Sequence, residues 1–412
     1  MRRNGSSPSR TTSGSTSSSK GTRFMRTTRL HRCVLLSALI LTAAAPSLST
    51  AQDKTEEAKR PAVGEKAQEA PETQQPETPQ QPQIPFSLLR LTEPGRRAEL
   101  RGMEVNHLIR EEEKTLASLE RLTYEGDNGE AYFDQVGRRV IWQSKAPGQE
   151  YDRIYIMDRD GSGKRMVSTG KGRTTCSFFL KNERGFIYAS THLREGPPPE
   201  PKKTGGYEWE FDDAYDIFMA DMEGKITRRL TDTPGYDAEG TISPSGKLML
   251  FTSQRDGDLD VYRMRLGNGD VTRITSSPGY DGGAFFSPDE TMIVYRGSRT
   301  ADYKDLQIFV CDAEGRNHKQ LTNNEAVNFA PYFHPDGNRI IFSSNMDDPR
   351  NFELYMINVD GTGLTRLTYS EGFDGFPYFS DDGQFLLFCS NRADPESRDT
   401  HVFVAVFDPY WY

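Results

Sequence analysis

The 412-residue sequence predicts an all-β fold, a six-bladed β-propeller, on three observations: a long internal repeat, strand-type periodicity within each repeat, and a strand motif that precedes the first repeat. A tight turn recurs at intervals of 44, 47 and 46 residues, as SPSG (243–246), SPDE (287–290), HPDG (334–337) and SDDG (380–383). A second motif recurs at the same intervals, as RLT (229–231), RIT (273–275), QLT (320–322) and RLT (366–368). Two motifs that recur in step at such a period indicate a solenoid, an array or a propeller.

Each repeat has the periodicity of β-strands. In residues 241–275, the segments TIS, LMLFTS, VYRMRL and VTRIT are separated by turns rich in Gly, Asp and Asn. This pattern predicts four short antiparallel strands joined by tight connections. Four-stranded units that repeat around an axis are the blades of a propeller.

The number of copies predicts six blades and a closed ring. Two weaker copies precede the four clear ones, over residues 131–168 and 176–231, and the second carries an insertion at 192–214. The last copy ends after three strands, whereas LERLTYEG (119–126) carries the outer-strand motif without a blade before it. We therefore expect this segment to pair with the last blade and to remove its open edge.

The chain upstream of the repeats divides into three predicted parts. Basic residues, then an apolar run, then small residues predict a secretory signal peptide over 1–51, with an uncut membrane anchor as the alternative. The apolar run is too short for a membrane span, which needs about 20 residues. The Pro-, Gln- and Glu-rich stretch 52–84 predicts a disordered linker. Loosely spaced apolar residues predict a short helical segment over 85–118, before a propeller over 119–412.

The charge of the chain argues against several classes of partner. The sequence has 51 Lys and Arg against 60 Asp and Glu, a net charge of -9. Removal of 1–51, which holds eight basic and no acidic residues, changes the net charge from -9 to -17. Because affinity for nucleic acid comes largely from neutralised phosphates, we expect no nucleic-acid partner. We expect a periplasmic or secreted monomer with no integral membrane span after signal cleavage.

The repeats resemble a known family. Over residues 119–412 the chain resembles the WD40-like Pro-Asp repeats of TolB-like propellers. The shared pattern is, in order, FSPDG, an apolar strand, S-x-R-D-G, x-D-[IV]-[YF], D-x-x-G and R-L-T. The best copies are Asp237–Thr275 and Asp374–Phe407. The TolB family has an α/β domain before its propeller, a place that only residues 86–118 occupy here. The resemblance implies a six-bladed propeller whose mouth receives disordered peptide segments of partner proteins.

Polar residues recur where each innermost strand is expected to begin. They are Asn128, Asp237, Asp281, Asn328 and Asp374. Because innermost strands border the central channel, we expect these side chains around one mouth, where they would bind a cation or a basic or polar peptide. The alternative is that each side chain caps backbone N–H groups in its own turn, and the two interpretations are compatible.

The insertion at 192–214 is a candidate partner-binding loop. Tyr207, Trp209 and Phe211 alternate there with acidic residues. Exposed aromatic side chains would anchor a partner, as aromatic residues do in interfaces. The alternative is that they fold back onto the propeller and cover its face.

Metal binding has weaker support. The segments at 158–163, 255–260 and 358–363 resemble calcium loops, but each lacks the Glu at the twelfth position and is explained by turn chemistry. No cofactor is required, and a Ca²⁺ ion in the central channel is a hypothesis. Cys176, Cys311 and Cys389 are widely spaced in apolar contexts and predict small buried side chains, not a disulfide framework.

The motifs favour a binding protein over an enzyme. The sequence contains no G-x-S-x-G, H-E-x-x-H, Walker or Rossmann motif. We therefore expect a non-catalytic platform for a protein or peptide partner in the cell envelope. One alternative is a metal-dependent glycan lyase or hydrolase acting at the channel mouth, and a second is a structural envelope component that oligomerises.

Overall fold

The computed structural model describes residues 101–196, 211–300 and 305–408. The predicted signal peptide (1–51) and linker (52–84) lie outside these residues. In the described part, the strands form six antiparallel sheets, one of five strands and five of four. The first strands of successive sheets contact one another in a closed ring, so the sheets are six blades around one axis. The predicted six-bladed propeller is confirmed.

The strands follow the repeats in chain order. Before the first blade lie β1 (Met103–Glu104), a 3-10 helix (Asn106–Leu108) and β2 (Leu116–Arg121). Blade 1 contains β3 (Asp127–Phe133), β4 (Arg139–Lys145), β5 (Arg153–Asp158) and β6 (Arg165–Met166). Blade 2 contains β7 (Thr174–Phe179), β8 (Gly185–Ser190), β9 (Asp216–Asp221) and β10 (Ile226–Arg229). Blade 3 contains β11 (Asp237–Ile242), β12 (Leu248–Ser253), β13 (Asp260–Arg265) and β14 (Val271–Arg273).

The second half of the ring has the same order. Blade 4 contains β15 (Tyr280–Phe286), β16 (Met292–Ser298), β17 (Gln307–Asp312) and β18 (Lys319–Gln320). Blade 5 contains β19 (Asn328–Phe333), β20 (Arg339–Ser344), β21 (Glu353–Asn358) and β22 (Thr365–Arg366). Blade 6 contains β23 (Asp374–Phe379), β24 (Phe385–Ser390) and β25 (His401–Phe407), and β2 and β1 complete it.

The ring closes through the predicted N-terminal strand. β2 pairs antiparallel with β25, and Thr123 Oγ1 accepts a hydrogen bond from Val402 N at 2.8 Å. The Thr of each R-L-T motif makes the same bond to the third strand of its own blade, at Thr231, Thr275, Thr322 and Thr368. Thr123 therefore holds the outer strand of blade 6 to β25, as the other threonines hold the outer strands of their own blades. This role explains why the outer-strand motif occurs at 119–126, before the first blade.

The helical segment predicted over 85–118 is wrong in its described part, residues 101–118. This part contains one 3-10 turn, the two-residue strand β1 and the start of β2. The apolar residues that suggested a helix lie in three different elements: Met103 is exposed in β1, Leu108 ends the 3-10 turn, and Leu116 is buried in β2. They therefore do not form one face of a helix.

The strand directions define two faces of the propeller. In each blade the first strand begins, and the second strand ends, on the face that we call the entry face. The loops between second and third strands, including the described ends of the insertion in blade 2 (192–196 and 211–214), therefore lie on the entry face. The SPSG-type turns lie on the opposite face. Among the described residues, no helix has the length and apolarity that a membrane crossing requires.

Candidate functional site

A β-bulge occurs at one equivalent place in the first strand of every blade. In β3, for example, the pairing with β4 shifts register between Gly129 and Tyr132. The backbone at the bulge has a positive φ of 49° to 58° in all six blades, at Glu130, Cys176, Glu239, Gly283, Ala330 and Phe376. Residues with a Cβ rarely adopt this backbone conformation, so the fold maintains it at a local cost in free energy.

The six bulge residues line a small central cavity, which we call the cup. Its volume is about 30 Å³. Three adjacent positions are polar, Glu130, Cys176 and Glu239, whereas the positions that face them carry Gly283, Ala330 and Phe376. The same backbone conformation therefore gives the cup one polar half and one half without polar side chains at the bulge.

Aromatic rings close the channel below the cup. They come from the second residue after each bulge, at Tyr132, Phe178, Phe285, Tyr332 and Tyr378. Ring centroids lie 5.1 Å apart for Tyr132 and Tyr378, and 4.3 Å apart for Tyr332 and Tyr378. In blade 3 the position is Thr241, whose hydroxyl donates to the Ala284 carbonyl at 2.7 Å. The cup therefore has an aromatic floor and opens toward the entry face.

Glu239 is held in a complete polar network within the wall of the cup. Arg296 Nη2 donates to Glu239 Oε1 at 2.7 Å, and Thr252 Oγ1 donates to Glu239 Oε2 at 2.6 Å. The Tyr280 hydroxyl and the Gly283 N–H each donate to the same carboxylate at 2.8 Å. Both Glu239 and Arg296 are buried. A buried carboxylate is tolerated when it is paired and hydrogen-bonded in this way.

Glu130 has a different environment. Burial raises the pKa of its carboxyl to about 7, and a hydrogen bond from the Cys176 thiol partly opposes this rise in pKa. Burial and the nearby carboxylates of Glu130 and Glu239 raise the pKa of the Cys176 thiol well above its usual value. Cys311 and Cys389 are buried as predicted, but Cys176 is half-buried and lines the cup.

The carboxylates predicted at the channel mouth are buried and paired with arginine. Asp237, Asp281 and Asp374 are at most 1% exposed. The Arg255 guanidinium lies 3.1 Å from Asp237, Arg299 lies 2.7 Å from Asp281, and Arg392 lies 2.6 Å from Asp374. Each arginine is 18 residues after its partner, in the loop after the second strand. Oδ2 of Asp237 and Asp281 has no hydrogen-bond partner among the described residues.

The two asparagines occupy the same position in the blades without that arginine. The eighteenth residue after Asn128 is Ala146, and the eighteenth residue after Asn328 is Met346. Asn128 donates to the Thr400 carbonyl at 2.8 Å and accepts from Trp142 Nε1 at 3.0 Å. Asn328 donates to the Asn324 side chain and to the Leu306 carbonyl. All five predicted residues thus tie the start of a first strand to a neighbouring loop or strand. Their direct contact with a ligand stays a prediction.

The described end of the insertion folds back onto the propeller. The Phe211 ring lies 5.4 Å from Tyr236 and 5.9 Å from Tyr280, and is partly buried. Tyr280 also bonds Glu239, so Phe211 lies beside the wall of the cup. Tyr207 and Trp209 lie outside the described residues.

A second aromatic group flanks the cup at blades 5 and 6. Phe376 packs on Phe329 at 5.3 Å and on Phe373 at 6.1 Å between centroids. Phe352 joins both Phe329 and Phe373. Apolar walls with a few converging polar groups are typical of binding sites on proteins. In the described part of the chain, no group of three or more His, Cys, Asp or Glu side chains is placed to hold a metal ion.

Sequence reasoning missed the cup because its residues are polar in one half of the ring and apolar in the other. The signal available was positional: each cup residue lies two positions after the recurring Asp or Asn, or after Thr174 in blade 2. The signal for the arginine pairs was the constant spacing of 18 residues, which occurs with Asp but not with Asn.

Comparison with known proteins agrees with this architecture. Residues 208–304 and 300–396 match the family model of the TolB beta propeller domain. The Tol-Pal system protein TolB of Bordetella pertussis (strain Tohama I) is 40% identical over 48 residues, 12% of this chain and 11% of that protein. The match thus spans about a tenth of the length of this curated relative.

Two solved structures are similar to this chain at low sequence identity. TolB from Acinetobacter baumannii is 20% identical, with a TM-score of 0.50 over 67% of this chain and 65% of that chain. The putative TolB from Agrobacterium tumefaciens is 20% identical, with a TM-score of 0.49 over 69% of this chain and 92% of that chain. The described residues define an all-β, six-bladed propeller. The repeat motifs and the family match over residues 208–396 support a TolB-like propeller.

Proposed function

We propose that this chain is a non-catalytic binding platform, which takes up a segment of a protein or peptide partner at the cup on the entry face. The observation that carries the proposal is the cup itself: six bulges aimed at one axis, over an aromatic floor. A rigid scaffold that holds strained residues around a shallow cavity suits recognition, because the binding groups are already in place before the ligand arrives.

The flanking aromatic groups support the same proposal. Phe211 with Tyr236 and Tyr280 lies on one side of the cup, and Phe352, Phe373 and Phe376 lie on the other. Tyr236 and Tyr280 are buried supports, whereas Phe211, Phe352, Phe373 and Phe376 are partly exposed and can serve as the aromatic anchors that dominate many interfaces. An extended peptide that crosses the entry face would contact both groups and the cup between them.

The cellular setting belongs to the proposal as well. The signal-like residues 1–51 and the relation to TolB support export to the periplasm or the cell exterior. The curated relatives are named as proteins of the Tol-Pal system, and an envelope partner is the corresponding expectation for this chain.

Affinity capture from the envelope fraction tests the proposal when a variant blocks the cup. Ala330→Phe adds to the cup the side chain that the equivalent position 376 already carries at a similar φ, 56° against 49°. The fold is therefore expected to accept it. Lys247→Glu, at an exposed position next to the SPSG turn on the opposite face, is the matched control.

The expected result is a partner that the wild-type chain and Lys247→Glu retain and that Ala330→Phe loses, with equal melting temperatures for all three proteins. A partner that Ala330→Phe retains equally well would move the site away from the cup. No partner on any bait, together with turnover of acidic oligosaccharides by the wild type, would favour the glycan lyase or hydrolase.

A further inference from the structure

We propose that the cup binds the terminal ammonium group of a lysine side chain, which the partner polypeptide inserts at the centre of the entry face. This inference rests on the proposed function and names the chemistry that the cup recognises. Three features carry it: the charge balance of the cup, an unpaired hydroxyl in its wall, and its size.

The charge balance leaves one carboxylate to be neutralised. Arg296 already pairs with Glu239, so these two groups cancel. Among the described residues, Glu130 has no Lys or Arg within ion-pair distance. An ionised Glu130 therefore gives the cup a net charge of minus one, in surroundings where an unpaired carboxylate is costly. A cation in the cup would remove that cost.

The wall of the cup also contains an unsatisfied hydrogen-bonding group. Ser177 lines the cavity and is 1% exposed. Its hydroxyl has no hydrogen-bond partner within the described part of the structure. Buried hydroxyls are normally paired, so this group has capacity for a donor that the free protein does not supply. An ammonium group brings three donors.

The size of the cup selects among cations. A cavity of about 30 Å³ exceeds the roughly 10–15 Å³ that one water molecule requires, but not by much. An ammonium group is comparable to a water molecule, whereas a guanidinium group is a larger plane with three nitrogens. The methylene stem of a lysine would leave the cup toward the entry face along Phe376, where an apolar stem packs well.

Protonation of Glu130 should be linked to binding. The titratable groups that face it are Cys176 from β7, Glu239 from β11, Arg296 from β16 and Asp152 from the loop after β4. With a pKa of about 7, much of the Glu130 carboxyl keeps its proton at neutral pH, and a bound cation would favour the carboxylate. Binding should therefore release protons, and affinity should rise as the pH increases through neutrality.

The experiment is a calorimetric titration of the wild-type chain and Glu130→Gln with blocked pentapeptides that carry one central residue between glycines. The central residue is lysine, acetyl-lysine or arginine, and an unblocked glycine peptide supplies a free α-amine. We expect the lysine peptide to bind the wild type at least about tenfold more tightly than acetyl-lysine at mildly alkaline pH, and Glu130→Gln to lose that preference. Glu325→Gln, at an exposed position, should keep it.

Several results would overturn the inference. They are equal binding of lysine and acetyl-lysine, an unchanged preference in Glu130→Gln, tighter binding of arginine or of the free α-amine, or no binding of any peptide at millimolar concentration. A partner captured through the cup without a lysine preference would refute this inference alone. A partner that Ala330→Phe still retains would refute the proposed function instead.

Discussion

Arg392 binds Glu113 with both terminal nitrogens, Nη1 to Oε2 at 3.1 Å and Nη2 to Oε1 at 3.0 Å. Arg392 Nη2 also donates to Asp374 at 2.6 Å, and all three side chains are buried. Glu113 belongs to the segment before the first blade, whereas Arg392 and Asp374 belong to blade 6. Blades 3 and 4 each contain one Asp–Arg pair at this position. In blade 6 the equivalent pair also binds Glu113, which attaches the N-terminal segment where the ring closes.

Replacement of Arg392 should be the most destabilising change among these arginines. Arg392→Ala leaves two buried carboxylates without a cation, and breaking a buried ion pair typically costs about 3–5 kcal/mol. The free energy of unfolding in urea measures the loss. Arg350→Ala, whose partner Asp348 is solvent-exposed, is the control and should change stability by less than about 1 kcal/mol. Similar losses in the two variants would contradict the triad's role.

The closing strand depends on Thr123. Thr123→Val keeps the shape of the side chain but leaves the Val402 N–H without its acceptor, which should cost about 1–3 kcal/mol. Hydrogen exchange at Val402 should accelerate, because the edge of blade 6 opens more often. Thr275→Val breaks the same bond inside a continuous blade. We expect a smaller increase in exchange at Val261 in Thr275→Val than at Val402 in Thr123→Val. Equal increases would show that the closing strand of blade 6 is held as firmly as the outer strand of blade 3.

Glu130 should make the stability of the protein depend on pH. The folded state holds the Glu130 proton more tightly than the unfolded state, because burial raises the pKa to about 7 from an ordinary value of 4.5. Stability from this group is present below about pH 4.5 and is lost as the pH rises through about 7. Because Glu130 is partly exposed, Glu130→Gln should gain only about 1 kcal/mol on the wild type between pH 5 and pH 8. Parallel pH profiles for the two proteins would be inconsistent with this burial.

Asp281→Asn separates the two interpretations of the predicted rim. The substitution weakens the pair with Arg299 in a fully buried position, so a loss of about 1–3 kcal/mol in unfolding free energy is expected. The affinity for the lysine peptide should stay within about twofold, because Asp281 does not line the cup. A tenfold drop in affinity with an intact fold would instead give Asp281 a direct role in binding.

The six blades could be predicted from the sequence because turn residues and strand alternation repeat at a nearly fixed interval. The ring closure could be predicted because one outer-strand motif, at 119–126, has no blade before it. The sequence was insufficient for the segment before the first blade, where Met103, Leu108 and Leu116 have a loosely helical spacing but lie in three different elements. It placed Asp237 correctly at the start of a first strand but could not show its burial, since that depends on Arg255 in a neighbouring loop. The cup could not be predicted from the sequence because its six residues share a backbone conformation and not a residue type.

The six bulges separate the geometry of recognition from its chemistry. Glutamate, cysteine, glycine, alanine and phenylalanine all occupy the same backbone conformation, and the propeller accepts each of them. A new ligand preference could therefore arise by a single substitution at one position, without a compensating change elsewhere in the scaffold. On this view, descendants of such a propeller can diversify their partners while the architecture of the six blades stays constant.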